Sequence, residues 1–191
     1  LIVTPYYNKT SQSGLIKHYT HIADKINIPI ILYNVPSRTG VNIQPETCAE
    51  LSKHPNICAI KEASGDISQV AKIKNLCGEN LNIYSGNDDQ IVPLLSLGGI
   101  GVISVFSNIC PKECHLIVKE YLEGNVKAAS RMQIKYLELM NAMFCDVNPI
   151  PVKEALNMMG YDCGKCRMPL DILNEENYKK LESIMKKFSL I

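Results

Sequence analysis

Lys61 closes the apolar run Ile57-Cys58-Ala59-Ile60, and Tyr33 closes a second run, Pro29-Ile30-Ile31-Leu32. If both runs are strands, side-chain alternation puts Ile57, Ala59 and Lys61 on one face and Cys58 and Ile60 on the other. A lysine ending such a strand, on a face with the small Ala59, aims its amine into a crowded and partly dry interior. Burial disfavours the charged form, and an amine with a free pKa of about 10.4 becomes a usable nucleophile once desolvation lowers it by a few units. That is the requirement for a Schiff base with a carbonyl substrate. The alternative is a lysine that snorkels to solvent or pairs structurally with Glu62 or an aspartate, and spacing leaves both open.

Schiff-base chemistry moves protons at several stages, and a phenol can both give and take one. Tyr33, on a parallel strand about 4.8 Å away, would stand beside the Lys61 amine; a core tyrosine with a satisfied hydroxyl fits the same pattern. Arg38 follows in NVPSRTG, a turn bounded by Pro and Gly. Its guanidinium fork fits a carboxylate, although an exposed loop arginine would read identically. Further polar groups collect where apolar runs end: Tyr6, Tyr7 and Asn8; Asn34; Glu62; Ser85, Asn87, Asp88 and Asp89; Ser104 and Ser107.

The elements that must hold these groups alternate. Apolar, β-branched runs at 1–5, 29–34, 57–61, 81–85 and 100–105 read as strands, and amphipathic stretches at 14–25, 45–53, 67–76, 90–97 and 112–122 read as the helices between them. Pro45 suits a first helical turn, and Asp66 with Gln69 has the spacing of a capping box. Strands apolar on both faces, each followed by a helix, imply a parallel sheet covered by helices. From about Val126 only helical periodicity remains, at 131–144, 151–159 and 175–188; Asn148, Pro149 and Pro151 form a joint, and Gly160 caps the middle helix.

No GxGxxG or Walker loop follows the first strand, and Gly98, Gly99 and Gly101 precede a strand rather than follow one, which disfavours a doubly wound nucleotide fold. The fold expected is therefore α/β, a (β/α)8 TIM barrel whose chemistry sits at the C-terminal strand ends. Five strands are three too few, so the chain is expected to hold strands 4 to 8, with the first three units upstream of Leu1. Residues 1–124 would be the barrel portion and 125–191 a helical C-terminal domain.

With 191 residues, 46% of them hydrophobic, the chain can build a real core. Twenty basic residues face 19 acidic ones without a basic patch, so no nucleic-acid partner is expected. Its apolar runs fall short of the roughly 20 residues of a membrane span, and no signal peptide is evident. A cytoplasmic protein acting on small molecules is the reading. Eight cysteines in a reducing compartment read as free thiols. Cys163 with Cys166, Cys110 with Cys114, and His18 with His21 have ligand-like spacings, but none is framed as a zinc site, so no metal is expected.

YNVPSRTG, IKEASG, YSGNDD, GVISV and NPIPVK, in this order and spacing, resemble the dihydrodipicolinate synthase family. It belongs to the pyruvate-dependent class I aldolases, which include N-acetylneuraminate lyase. The resemblance covers the whole chain, and Arg38 in the S-R-T-G turn favours the synthase over the lyases. It implies that Lys61 forms an imine with pyruvate and that the derived enamine attacks aspartate 4-semialdehyde, in lysine and diaminopimelate biosynthesis, with no cofactor. Tyr33 would relay protons, Arg38 would orient the semialdehyde carboxylate, and the backbone of Gly86 and Ile103 would line the pyruvate pocket. Tyr7 would cross a dimer interface to finish the neighbouring subunit's relay, and Tyr6 would lie near where lysine binds as feedback inhibitor. A homotetramer is implied. The family's Gly-Thr-Thr-Gly-Glu segment has no counterpart here, and a five-strand sector has two open sheet edges, which favours aggregation. A related lyase, or a non-catalytic remnant that assembles with related subunits, is the alternative.

Overall fold

The computed structural model describes residues 1–191. Five parallel strands, β1 (Ile2–Val3), β2 (Ile30–Asn34), β3 (Ile57–Glu62), β4 (Asn82–Ser85) and β5 (Gly101–Val102), lie side by side in chain order. An open doubly wound sheet reverses its strand order at a switch point, whereas a barrel wall advances one neighbour at a time. The observed order is the second kind, with helices α1 (Gln12–Ala23), α3 (Pro45–Leu51), α4 (Ile67–Cys77) and α5 (Ile91–Ser96) in the crossovers. The outer strands β1 and β5 are shorter than the runs at 1–5 and 100–105 because each has a ladder on one side only.

Two successive cross-strand rows organise the sheet. Leu32, Ile60 and Ile83 stand opposite one another and are fully buried beneath the helices with Leu15, Tyr19, Ile43, Leu51 and Ile73. Each such side chain contributes roughly 1.5–3 kcal/mol by leaving water. In the next row Tyr33, Lys61 and Tyr84 stand opposite one another and, by alternation, face the other way. Ile57 departs from the simple alternation expected of it. The β2–β3 register shifts between Ile30 and Ile31, so Ile57 pairs with Ile30 and joins the helix-covered cluster rather than the face of Ala59 and Lys61. An irregularity of this kind absorbs one residue and reverses the alternation before it.

Local chemistry sets the helix ends. Pro45 occupies the first turn of α3, as expected. Asp66 caps α4 through Oδ1, which accepts from Gln69 N at 3.0 Å, but the capping box is only half formed: the Gln69 side chain turns to other partners, and Asp66 N donates to Ser64 Oγ. The NVPSRTG segment is a short helix, α2 (Pro36–Thr39), rather than a plain turn, and is closed by Gly40 in the left-handed region at φ +67°.

The chain divides into two compact units, Leu1–Ile103 and Ser104–Ile191. The second is helical: α6 (Pro111–Leu122), α7 (Val126–Ala142), α8 (Ile150–Met158) and α9 (Glu175–Lys187). α6 packs along α7 and falls in the second unit. Phe106, Tyr136 and Phe188 form an aromatic chain with centroids 5.6 Å apart at each step. α7 begins at Val126, five residues before the start at Arg131 read from periodicity, because Asn125 O already accepts from Ala128 and Ala129 N. Small alanines carry little periodic signal. Gly160, at φ +88°, follows the end of α8 as expected.

Candidate active site

Lys61 and Tyr33 meet because their Cα atoms are opposite one another on β3 and β2. Both side chains are half-buried, and the Lys61 Nζ lies over the Tyr33 ring, 4.3 Å from its centroid. The ring's negative face attracts an ammonium at this distance. Burial is nevertheless the larger influence on Lys61 and holds its pKa below the ordinary lysine value, opposed by the negative charge of Asp88. Burial raises the Tyr33 pKa, and the positive charge of Arg38 partly offsets that rise. The outcome is an amine biased toward its nucleophilic neutral form beside a phenol that keeps its proton.

The structural pairing of Lys61 with Glu62 does not form. Glu62 is one residue further along β3, so it faces the other side of the sheet, where it is 3% exposed and accepts from Asn34 Nδ2 at 2.9 Å, Gln69 Nε2 at 3.1 Å and Ser64 N at 2.6 Å.

Gly86, just past β4, belongs with Lys61: a Cβ there would come within 2.6 Å of the Ala63 Cβ and 3.1 Å of the Lys61 Cε. Only glycine leaves the lysine this space. Gly86 N donates to Glu62 O at 2.7 Å, and Ile103 N donates to Ser85 O at 2.9 Å. With both N–H groups committed, these two residues have carbonyl oxygens left to offer a ligand. Arg38 is exposed in the last turn of α2, close enough for its charge to act on Tyr33. Tyr7 and Tyr6 are not gathered into this cluster, being 90% and 67% exposed.

Other neighbours, among them Tyr84 and Asn42, carried no site role in the sequence, and Asp88 and Asn34 stood only among the polar groups at strand exits. Tyr84 stands opposite Lys61 on β4, and a Cβ on Gly101 would touch its ring at 3.3 Å. Asp88, 3% exposed, supplies the negative charge that acts on Lys61. Behind the sheet, Asn34, Asn42, Glu62 and Gln69 form a closed set of amide and carboxylate contacts. Alternation was the available signal: a Glu directly after an inward Lys falls on the apolar helix side, where a carboxylate needs donors.

None of the eight cysteines is in a disulfide, and no helix is long and apolar enough to cross a membrane.

The sequence matches the Dihydrodipicolinate synthetase family over residues 1–188. It is 57% identical to a 4-hydroxy-tetrahydrodipicolinate synthase of Caldicellulosiruptor bescii over 190 residues, which is all of this chain and 64% of that protein. It is 56% identical to the enzyme of that name from Clostridium perfringens, over all of this chain and 66% of the other. The chain thus spans about two thirds of the length of these relatives. Among solved structures, a dihydrodipicolinate synthase from Thermotoga maritima superposes with a TM-score of 0.95 at 42% identity, covering 99% of this chain and 65% of that one. Two more, each at TM-score 0.95 and 39% identity, carry ligands: the Acinetobacter baumannii enzyme complexed with pyruvate, covering 99% of this chain and 65% of its own, and the Cyanidioschyzon merolae enzyme with lysine bound, covering 99% and 64%.

Proposed function

The chain belongs to the dihydrodipicolinate synthetase family, and from that premise we propose that Lys61 and Tyr33 are the imine-forming and proton-transfer residues of a class I aldolase condensing pyruvate with L-aspartate 4-semialdehyde. The observation that carries this reading is the half-buried Lys61 amine, 4.3 Å from the Tyr33 ring at the C-terminal edge of a parallel sheet. The neutral amine adds to the keto carbon of pyruvate and water leaves, giving the imine. Loss of a methyl proton gives the enamine, whose carbon attacks the semialdehyde carbonyl. The new alkoxide takes a proton, and attack by the substrate's own amine on the imine carbon expels the Lys61 amine and yields 4-hydroxy-tetrahydrodipicolinate. Tyr33 gives and takes the protons. The imine nitrogen is itself the electron sink, so the scheme needs no cofactor.

Arg38, at the mouth, pairs with the semialdehyde carboxylate, and the carbonyls of Gly86 and Ile103 line the pyruvate pocket. The high exposure of Tyr7 and Tyr6 in the single chain suits contacts with a second subunit of a homotetramer. In this reading Tyr7 completes the neighbour's proton relay and Tyr6 lies near a lysine feedback site. The place of action is the cytoplasm, in lysine and diaminopimelate biosynthesis.

Borohydride reduction in the presence of pyruvate tests the reading. A reduced pyruvate adduct on Lys61, absent from Lys61→Ala, is expected; folded wild-type chain that gives no adduct would sink the proposal. Arg38→Ala should retain the adduct while kcat/KM for the semialdehyde falls by about 10- to 100-fold, as loss of a charged pair predicts. Equal losses in both steps would count against the role given to Arg38.

A further inference from the structure

Tyr33 and Lys61 belong to strands distant in sequence, so something must hold β2 and β3 in the register that lets one side chain lie over the other. The row immediately beyond them does this with polar groups. Asn34 stands opposite Glu62, and the Asn34 Nδ2 donates to Glu62 Oε2 at 2.9 Å across the ladder. The same oxygen accepts from Gln69 Nε2 at 3.1 Å, which ties in the first turns of α4, while Oε1 accepts from Ser64 N at 2.6 Å in the loop after β3. Asn34 Oδ1 accepts from Ile43 N at 2.9 Å, and Asn42 bridges Asn34 and Gln69.

From this geometry we infer that Glu62, with Asn34, is a positioning residue that holds the Lys61 amine against the Tyr33 ring; the inference rests on the reading of Lys61 as the imine-forming lysine. Every contact to Glu62 named above is a donated N–H, so the site is built for a carboxylate. An amide in its place would turn an N–H toward one of those donors. A buried polar set of this kind specifies one geometry when complete and relaxes when a member is mismatched. Because Glu62 lies on the opposite face of the strand, its side chain does not reach the Lys61 amine and acts on the reaction through where Lys61 sits.

The test is the pH dependence of borohydride trapping with pyruvate, measured on chain shown to be folded by circular dichroism. Tyr33, Tyr84 and Asp88, the titratable groups around Lys61, are unchanged in every variant. Glu62→Gln releases Lys61 toward solvent, so the midpoint of the trapping profile rises by about one unit, equivalent to about a tenfold slower trapping near neutrality. The double variant Asn34→Asp with Glu62→Gln exchanges acceptor and donor across the same pair and returns the midpoint toward wild type. A Glu62 that only stabilises the fold would lower the melting temperature and leave the midpoint in place, and that result overturns the inference; so does a shift that the exchange fails to reverse. If Glu62→Gln does not fold, Gln69→Met, which removes one donor, should give a smaller upward shift, and an unmoved midpoint overturns the inference again. Absence of any adduct in the wild type is a different failure, that of the aldolase reading itself.

Discussion

Lys61 sets stability against the nucleophilic role proposed for it. Its side chain is half-buried and its pKa is held below the ordinary lysine value chiefly by desolvation. Between the folded pKa and the ordinary value the folded chain binds fewer protons than the unfolded one, so stability rises with pH across that window. Below it, the protonated amine bears the cost of partial burial. Lys61→Met should therefore raise the melting temperature near neutral pH by about 1–4 °C, with the gain fading as pH approaches about 10.4, where the wild-type amine becomes neutral in both states. Thermal unfolding of the two chains at several pH values checks this, and a gain that grows with pH would show that folding raises the Lys61 pKa instead of lowering it. Tyr33 and Lys61 were legible as neighbours at adjacent strand exits, whereas spacing left open whether Lys61 pairs with Glu62, because a strand exit has polar neighbours on both faces.

At the scale of elements, α4 has two duties. Its cap, Asp66, is an ordinary one, with Oδ1 accepting from Gln69 N at 3.0 Å. Its first turn also carries Gln69, whose side chain reaches Glu62 and Asn42 behind the sheet. Asp66→Ala should cost about 1 kcal/mol of stability by freeing the first turn, as cap removal usually does. A urea titration measures that loss, and no change in the midpoint would mean the cap contributes nothing. The spacing of Asp66 and Gln69 marked the helix start correctly. It also suggested that Gln69 folds back on the cap, and a buried carboxylate seven residues away outcompeted that local bond, since a charged acceptor strengthens the contact and an unpaired buried carboxylate is costly.

At the scale of the molecule, the sheet has two unpaired edges. β1 pairs only with β2, and β5 only with β4, so each presents backbone N–H and C=O groups with no ladder partner on its outer side. Leu1, beside β1, is 60% exposed. Open parallel edges invite further strands. Sedimentation of the 191-residue chain should therefore reveal association that strengthens with concentration; a monomer throughout a wide concentration range would contradict it. The helical unit Ser104–Ile191 has no sheet edge of its own.

The amino-acid sequence by itself determined the alternation of strand and helix, the parallel sense of the sheet, the end of that pattern near Val126, and the presence of a lysine and a tyrosine at adjacent strand exits. These follow from short-range periodicity and from the apolar character of runs a few residues long, which any local window contains. Only the tertiary structure decided that Tyr33 lies opposite Lys61, that Ile57 belongs to the helix side, and that Glu62 is held by Asn34, 28 residues away in the chain. Register is a long-range quantity: moving a strand by one residue sends every side chain to the other face, and no local preference distinguishes the two.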